Sequence, residues 1–224
     1  MRTFIRQNSL SLFFGVIFLA ALVGQAFAGH AEYNAQLVTD GLATVSLGRY
    51  ITSSSFAVDV AENWQSEYLQ FLLYILATVW FLQRGSPESK SLDEAGTESD
   101  KEQKVGRYAD DASPVAAGRG GLPTALYSSS LGLVMGLIFF ASWGMQSLAG
   151  RIAYNEEQLA QLQGPVSWSE YVTSADFWNR TLQNWQSEFL AVGSMAVFSI
   201  YLRQRGSPES KPVGAAHTST GVEG

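Results

Sequence analysis

The chain has no cysteine and only two histidines among its 224 residues, which removes most catalytic and metal chemistry. Without cysteine there are no thiolate metal sites, disulfides or cysteine nucleophiles. With only His30 and His217, far apart in the sequence, a histidine metal cluster or a Ser-His-Asp triad is not expected within one chain. We therefore predict no metal, no cofactor and no enzymatic activity.

Basic charge and phosphate-binding loops are also scarce. The formal net charge is -6 and the basic residues are interspersed with acidic ones, so nucleic acid is not an expected partner. The Gly-Arg-Gly-Gly stretch at 118–121 lacks the following lysine and the preceding strand of a phosphate loop, and it is typical of a flexible linker.

What the chain does contain is a repeat, because residues 9–90 return at 130–211 with a constant offset of 121. The pentapeptide Asn-Trp-Gln-Ser-Glu occurs at 63–67 and 184–188. The octapeptide Gln-Arg-Gly-Ser-Pro-Glu-Ser-Lys occurs at 83–90 and 204–211. Each copy holds two long apolar segments, so each segment can be interpreted together with its twin.

The apolar residues are concentrated in four segments, as in a membrane protein. Two of them, 10–28 and 131–149, are 19 residues long without a formal charge, which nearly spans a hydrocarbon core of about 30 Å. The shorter two reach about 30 Å when counted from Trp64 to Arg84 and from Trp185 to Arg205, and these residue types are the expected interfacial anchors. The sequence thus predicts an all-α integral membrane protein. Its transmembrane helices are expected at about 10–29, 64–84, 130–150 and 185–205.

The first apolar segment also has the pattern of a cleaved secretory signal, with Arg2 and Arg6 before it and Ala-Phe-Ala at 26–28. The internal copy repeats many of its letters at a position where no signal peptide can lie. We therefore expect the segment to be retained, and N-terminal sequencing of the purified protein distinguishes the two cases.

Four membrane-spanning helices place both termini and the central linker on the same side of the membrane. That side carries 11 of the 14 lysines and arginines, and only Arg49, Arg151 and Arg180 lie opposite. The positive-inside rule then assigns the termini and the linker to the cytoplasm. The expected location is the cytoplasmic (inner) membrane, as a multi-pass protein.

The predicted organisation is two tandem helical hairpins, 1–90 and 126–211, in a parallel repeat. The linker at 91–125 and the tail at 212–224 are rich in small and polar residues and are predicted to be disordered. Small helical caps are expected outside the membrane, since Ser167 to Glu170 matches a capping box. Thr173 or Ser174 then begins a helix that continues without a breaker into the fourth span.

Glu67 and Glu188 are the sharpest candidates for chemistry, because both copies keep a carboxylate just after the interfacial tryptophan. Such a carboxylate binds a cation, relays protons or pairs with a partner. The structural alternative is that Asn63 and Asn184 cap these helices, or that the glutamates stabilise an N-terminal turn facing water. A continuous upstream helix weakens the capping explanation.

Other polar and small residues recur near the membrane. Gln25 and Gln146 are expected to form an interhelical hydrogen bond, with solute contact as the alternative. Gly132 and Gly136 form a GxxxG pattern that predicts close helix packing, and the first repeat has Ser11 and Gly15 at the same positions.

The octapeptide is the longest identical element. Its glycine is expected to end a helix in the left-handed conformation, with Arg84 and Arg205 favourable at the helix C-terminus and Ser-Pro forcing an exit. Lys90 and Lys211 are expected at the headgroup surface. A stop signal with an anchor and a docking site for a partner or lipid both remain open.

The pentapeptide and the octapeptide, each present twice, with Tyr-Asn-Glu-Glu-Gln at 154–158 between them, carry a resemblance. The chain resembles a bacterial family of small four-helix integral membrane proteins known only as a domain of unknown function. The resemblance covers most of the chain outside the linker and tail. It implies a bacterial membrane protein and no activity, substrate or site.

Two functional hypotheses follow. The first is a non-enzymatic structural or interaction protein that acts through its two membrane-surface edges, with the lipid bilayer and either a homo-oligomer or another membrane protein as partners. The second is a small oligomeric transporter or channel that uses Glu67 and Glu188. A membrane enzyme ranks third, because no catalytic set is visible in the sequence.

Overall fold

The computed structural model describes residues 2–222, and within that range it holds helices, turns and loops but no strand. Its helices are α1 (Arg2–Gln7), α2 (Ser9–Thr39), α3 (Leu47–Ile51), α4 (Ser54–Ala77), α5 (Val115–Gly118), α6 (Gly121–Ser128), α7 (Ser130–Ala160), α8 (Trp168–Val172) and α9 (Ala175–Tyr201), with a 3-10 turn at Gly106–Tyr108. The all-α prediction is confirmed. The predicted tail extends to residues 223–224, which lie outside the described range.

Two helices, α2 and α7, are long and apolar enough to cross a membrane. Both contain 31 residues and extend about ten residues beyond the predicted spans at 10–29 and 130–150, reaching about 46 Å. Their outer ends are therefore part of the predicted caps. By length and composition these two helices are the candidate membrane spans among the described residues, and they point weakly to a membrane association.

The two shorter apolar segments differ from the prediction in their bounds. The predicted span 64–84 is replaced by α4, which begins ten residues earlier, at Ser54, and ends at Ala77. At this end the Thr78 hydroxyl donates to the carbonyls of Tyr74 and Ile75, at 2.8 and 3.2 Å, and the chain then turns. The predicted span 185–205 is likewise replaced by α9, which begins at Ala175 and ends at Tyr201.

The chain divides into two compact units. The first comprises residues up to Ala61 together with Gly144–Phe177, and the second comprises Glu62–Trp143 together with the chain from Trp178 onward.

A buried tyrosine organises each half of the first unit. Tyr50 of α3 and Tyr171 of α8 are almost fully buried, and they occupy positions 121 residues apart. Each hydroxyl lies against a glycine of a long helix, Gly29 or Gly150, so closely that a Cβ at either glycine would collide with it. Burial, followed by the nearby carboxylates of Asp59 and Glu32, raises the pKa of Tyr50 above its ordinary value.

A side-chain amide holds the loop that precedes each buried tyrosine. Asn34 accepts a hydrogen bond from the Val45 amide at 2.8 Å and donates to its carbonyl at 3.0 Å. Asn155 makes the same two bonds with Val166, at 2.8 and 3.0 Å. Because one amide satisfies both backbone groups of the loop residue, the short helices α3 and α8 are held in position.

The predicted capping box of the second repeat is confirmed. Ser167 and Glu170 form the reciprocal capping box at the start of α8. The Ser174 hydroxyl accepts from the Phe177 amide at 3.2 Å, at the start of α9. In the first repeat Ser53 does the same for Phe56, at 3.3 Å. A hydroxyl side chain thus caps the N-terminus of α4 and of α9, as their sequence pattern indicates.

Gly132 and Gly136 of α7 lie beside leucine side chains of α4 in the second unit. A Cβ at Gly132 would lie 3.8 Å from Leu76, and a Cβ at Gly136 would lie 3.7 Å from Leu72, which are ordinary van der Waals distances to side chains. The close helix packing expected from the GxxxG pattern stays a prediction. At Gly15, the equivalent position of the first repeat, nothing lies within 4 Å, so the two patterns are used differently.

An ion pair also lies in the second unit. The Arg180 guanidinium donates to the Glu62 carboxylate at 3.1 Å, and the Glu62 side chain is largely buried. Arg180 is one of the three basic residues predicted to lie outside the membrane.

The linker at 91–125 is built of turns, the 3-10 turn, α5 and the first part of α6, and most of its residues are exposed. Its ion pairs are local: Lys90 pairs with Glu98, and Lys104 pairs with Asp110 at 3.0 Å. Its disorder in solution stays a prediction.

Candidate functional site

The two octapeptides fold into the same turn, although neither ends a helix as expected. α4 ends seven residues before Arg84, and α9 ends four residues before Arg205. Gly85 and Gly206 do take the predicted left-handed conformation, with φ of +87° and +81°. The octapeptide is therefore an independent turn that follows each helix, and its glycine reverses the chain where a side chain would be strained.

Four hydrogen bonds define this turn, which we call the octapeptide turn (83–90 and 204–211). In the first copy the Gln83 amide donates to the Ser89 hydroxyl at 2.9 Å, and the second copy has the same bond from Gln204 to Ser210, also at 2.9 Å. The remaining three bonds also recur in both copies. In the first copy the Ser86 amide donates to the Gln83 carbonyl, the Glu88 amide donates to the Ser86 hydroxyl, and the Ser89 hydroxyl donates to the Lys90 carbonyl. The equivalent donor–acceptor pairs of the second copy are Ser207–Gln204, Glu209–Ser207 and Ser210–Lys211. Eight identical residues thus encode one geometry twice.

The two octapeptide lysines do not lie free at a headgroup surface. Lys211 is 1% exposed, and its ammonium donates to the carbonyls of Gly85, Ala216, His217 and Ser219 at 2.6 to 3.3 Å. Burial, and then Arg203, lowers the pKa of Lys211. The four carbonyl oxygens favour its charged form, because they replace the hydration that burial removes. The expectation that Lys211 lies at the headgroup surface is therefore wrong.

Lys90 has a different role from its twin. Its ammonium donates to the Gly96 carbonyl at 2.7 Å and pairs with Glu98, both in the linker. Lys90 thus fastens the start of the linker, whereas Lys211 fastens the tail to the first octapeptide turn.

The tail covers the first octapeptide turn. The Gly85 amide donates to the Thr220 hydroxyl at 2.9 Å, and the Gly221 amide donates to the Ser86 carbonyl at 3.1 Å. A Cβ at Gly85 would collide with the His217 carbonyl, so the absence of a side chain is what allows the tail to lie there. Gly85, Ser86 and Pro87 are buried as a result.

The tail also closes the end of α9. Arg203 donates through Nη1 to the carbonyls of Ser199, Ile200 and Leu202, at 2.7 to 3.3 Å, and through Nη2 to Ala215 at 3.1 Å. A cation on the last carbonyls of a helix is favourable because the helix C-terminus carries partial negative charge. Tail and helix end are thus joined by one guanidinium.

The second octapeptide turn is open. Arg205, Gly206, Pro208 and Glu209 are exposed, whereas the equivalents of Gly206 and Pro208 in the first turn are buried. Within residues 2–222, no hydrogen bond is described for the Gly206 amide or carbonyl. The Ser207 carbonyl accepts from the Ser210 amide at 3.2 Å, and a carbonyl oxygen has a second lone pair to offer.

Glu67 and Glu188 lie in the interior of long helices. The capping explanation is wrong, because α4 and α9 run continuously through Asn63 and Asn184, and the Asn184 side chain donates to the Arg180 carbonyl at 2.9 Å. Glu67 is exposed and Glu188 is half-buried, and the two carboxylates are close enough for their charges to interact.

The interfacial tryptophans also differ between the repeats. The Trp185 indole donates to the Gln65 side-chain oxygen at 2.8 Å and packs near Trp143, with ring centroids 6.2 Å apart. Gln65 is fully buried, and its amide nitrogen has no described partner. Trp64, in contrast, is 41% exposed. The predicted anchor role therefore fits Trp64 better than Trp185.

The remaining candidates are one glutamine pair and one arginine pair. Gln146 is fully buried and Gln25 is half-buried, and the interhelical hydrogen bond expected of them stays a prediction. Arg84 and Arg205 are both exposed. No group of three or more metal-ligating side chains occurs in the part of the chain that the structure describes.

The residues that sequence analysis missed are Gly29, Asn34, Tyr50 and their twins Gly150, Asn155 and Tyr171. Their letters are identical in the two copies, and that identity was the available signal. The tail residue Thr220 had no such signal, because the tail lies outside the repeat.

Comparison with known proteins adds one relationship. The model of the family described as "Domain of unknown function (DUF6766)" matches residues 1–222. No curated protein and no solved structure matches the chain.

Proposed function

The chain belongs to this family of unknown function, and we propose that it is a four-span, non-enzymatic membrane protein that binds protein partners at its octapeptide turns. The observation that carries the proposal is the pair of identical octapeptide turns, each built by the same four hydrogen bonds, one covered and one open.

The membrane part of the proposal rests on more than α2 and α7. α4 and α9 contain 24 and 27 residues, about 36 and 40 Å, so both are long enough to cross a hydrocarbon core of about 30 Å. With four spans, the 11 to 3 distribution of basic residues orients the termini and linker toward the cytoplasm of a bacterial inner membrane.

Single-cysteine labelling tests this topology directly, because the chain has no cysteine of its own. We place one cysteine at a time at Gly41, Lys101, Gln163 or Thr218 and treat intact cells with a membrane-impermeant maleimide. Four spans expose positions 41 and 163 and protect 101 and 218. Two spans, α2 and α7 alone, would expose 41 and 101 and protect 163, so labelling at 101 but not at 163 rejects the proposal.

The interaction part of the proposal rests on an exposed, folded surface in a chain with little reactive chemistry. In vivo crosslinking followed by mass spectrometry measures the partners. Scrambling residues 205–209, which are largely exposed, should remove partners that the parent chain recovers. The matched control scrambles 100–104 of the linker, five exposed residues that also carry no net charge. Unchanged partners in the first variant would contradict the proposal.

A transporter or channel is the second candidate, and the interaction between the Glu67 and Glu188 carboxylates favours it. The exposure of Glu67 argues against a closed ion site, so this candidate needs an oligomer to enclose the carboxylates. Purified protein in liposomes should then carry ions or solute, and Glu67→Gln with Glu188→Gln should abolish the flux. Absence of flux under any gradient rejects this candidate.

A further inference from the structure

We propose that the second octapeptide turn is a binding site for an extended peptide segment of another protein that carries serine or threonine followed by glycine. This inference rests on the proposed interaction function and specifies the chemistry of the partner. It is carried by the first octapeptide turn, which already holds such a segment in the chain's own tail.

The first turn shows which groups recognise the segment. Its Gly85 amide donates to the Thr220 hydroxyl, and its Ser86 carbonyl accepts from the Gly221 amide. Both contacts on the turn come from backbone groups, so any chain with the same turn geometry offers the same pair of groups. A hydroxyl side chain followed by a backbone N–H is therefore the minimal complement.

The second turn offers the equivalent Gly206 amide and the Ser207 carbonyl, which accepts from the Ser210 amide and keeps a second lone pair for a ligand. Gly206 repeats the left-handed conformation of Gly85, and the bonds that close the turn differ by about 0.2 Å or less between the copies. A Cβ at Gly206 would have nothing within 4 Å, whereas a Cβ at Gly85 would meet the tail. The site that the tail fills on the first turn is thus empty space on the second.

The chain's own tails are poor candidates for the second turn. Each chain has two turns and one tail, and that tail is held in place by Lys211, whose ammonium joins Gly85 to three tail carbonyls. Moving a tail to the second turn of another copy would vacate a first turn and break the Lys211 contacts. The exchange gains no contact, so a segment from a different protein is the favoured occupant.

The experiment titrates a fluorescent peptide of sequence Ala-His-Thr-Ser-Thr-Gly-Val, residues 216–222, against the full-length protein in lipid nanodiscs. The parent chain should bind one peptide, at the second turn. Gly206→Val should weaken this binding about tenfold or more, because a β-branched residue disfavours the left-handed conformation and the backbone contacts are lost.

Matched variants keep the test independent of misfolding. Gly206→Asn should bind as the parent does, since asparagine tolerates the left-handed conformation and the space is open. Glu209→Ala should also bind normally, because the equivalent Glu88 contacts Tyr74 and not the tail.

Two results overturn the proposal: a parent chain that binds no peptide, or equal binding by Gly206→Val and the parent. If the peptide fails to bind but scrambling 205–209 still removes crosslinked partners, the peptide chemistry is wrong and the interaction function stands. If the peptide fails to bind and scrambling 205–209 leaves the crosslinked partners unchanged, both the peptide chemistry and the interaction function are rejected.

Discussion

Substituting Gly150 with alanine should destabilise the protein, because its Cβ would enter the space of the Tyr171 side chain. The added carbon would collide with the hydroxyl and lie 3.0 and 3.1 Å from the ring carbons Cζ and Cε1. Tyr171 is 0% exposed and packs against Tyr154 and Phe177, each with a ring-centroid distance of 5.6 Å, so it has little room to retreat.

The expected cost is about 1–3 kcal/mol for overpacking a buried site. For a chain of this length the shift in the unfolding midpoint is roughly 2–4 °C for each kcal/mol. Thermal unfolding in detergent micelles, followed by circular dichroism, measures the shift.

Gly144→Ala is the matched control. It lies in the same helix α7, and a Cβ there would have nothing within 4 Å. Alanine at this site should leave stability unchanged or raise it by about 0.5–1 kcal/mol, since alanine is the better helix former.

A double-mutant cycle identifies the colliding group. Tyr171→Phe alone should cost about 0.5–1.5 kcal/mol, since the hydroxyl donates to Asp176 at 3.2 Å. In the phenylalanine background Gly150→Ala should cost about 1 kcal/mol less than in the parent, because the closest atom is gone. The reasoning fails if Gly150→Ala is as harmless as Gly144→Ala.

Three further predictions address other parts of the fold. Asn155→Ala should cost about 1–3 kcal/mol and speed hydrogen exchange at the Val166 amide, which loses its acceptor; unchanged exchange there would show that the amide does not hold the loop. Hydrogen bonds from Ser167 lower the pKa of Glu170, so its contribution to stability is complete above the ordinary glutamate pKa and is lost as the pH falls through the lowered value. Glu170→Gln should therefore reduce the acid dependence of unfolding, and an identical pH profile for the variant would contradict this. Trypsin should cleave the linker at Lys101 and Lys104 before it cleaves the octapeptide turns at Arg84 and Arg205. Mass spectrometry of limited digests measures the order of cleavage. First cleavage at Arg205 would mean that the second octapeptide turn is not held by its hydrogen bonds.

The starts of the long helices could be predicted from the sequence because they depend on local chemistry. Ser174 lies before an uninterrupted helical pattern, and a hydroxyl at that position satisfies an amide that the helix itself leaves free. The capping box at Ser167 and Glu170 was predictable for the same reason.

The helix ends and the octapeptide contacts were not predictable in this way. Thr78 to Leu82 is apolar enough to continue a span, and hydropathy does not distinguish a helix from a turn closed by a threonine hydroxyl. Lys211 was expected at the surface because a buried ammonium is costly unless it is solvated. Its solvation comes from carbonyls up to 126 residues away in the chain, which no local pattern encodes.

The ion pair between Glu62 and Arg180 means that the two repeats are no longer interchangeable. The position equivalent to Arg180 in the first repeat is Asp59, and the position equivalent to Glu62 in the second is Gln183. A chimera made of two first repeats would set an aspartate opposite the largely buried Glu62 carboxylate, where like charges repel. A chimera made of two second repeats would oppose arginine with neutral glutamine. The duplicated halves have thus become complementary partners, and neither can replace the other without a charge left uncompensated.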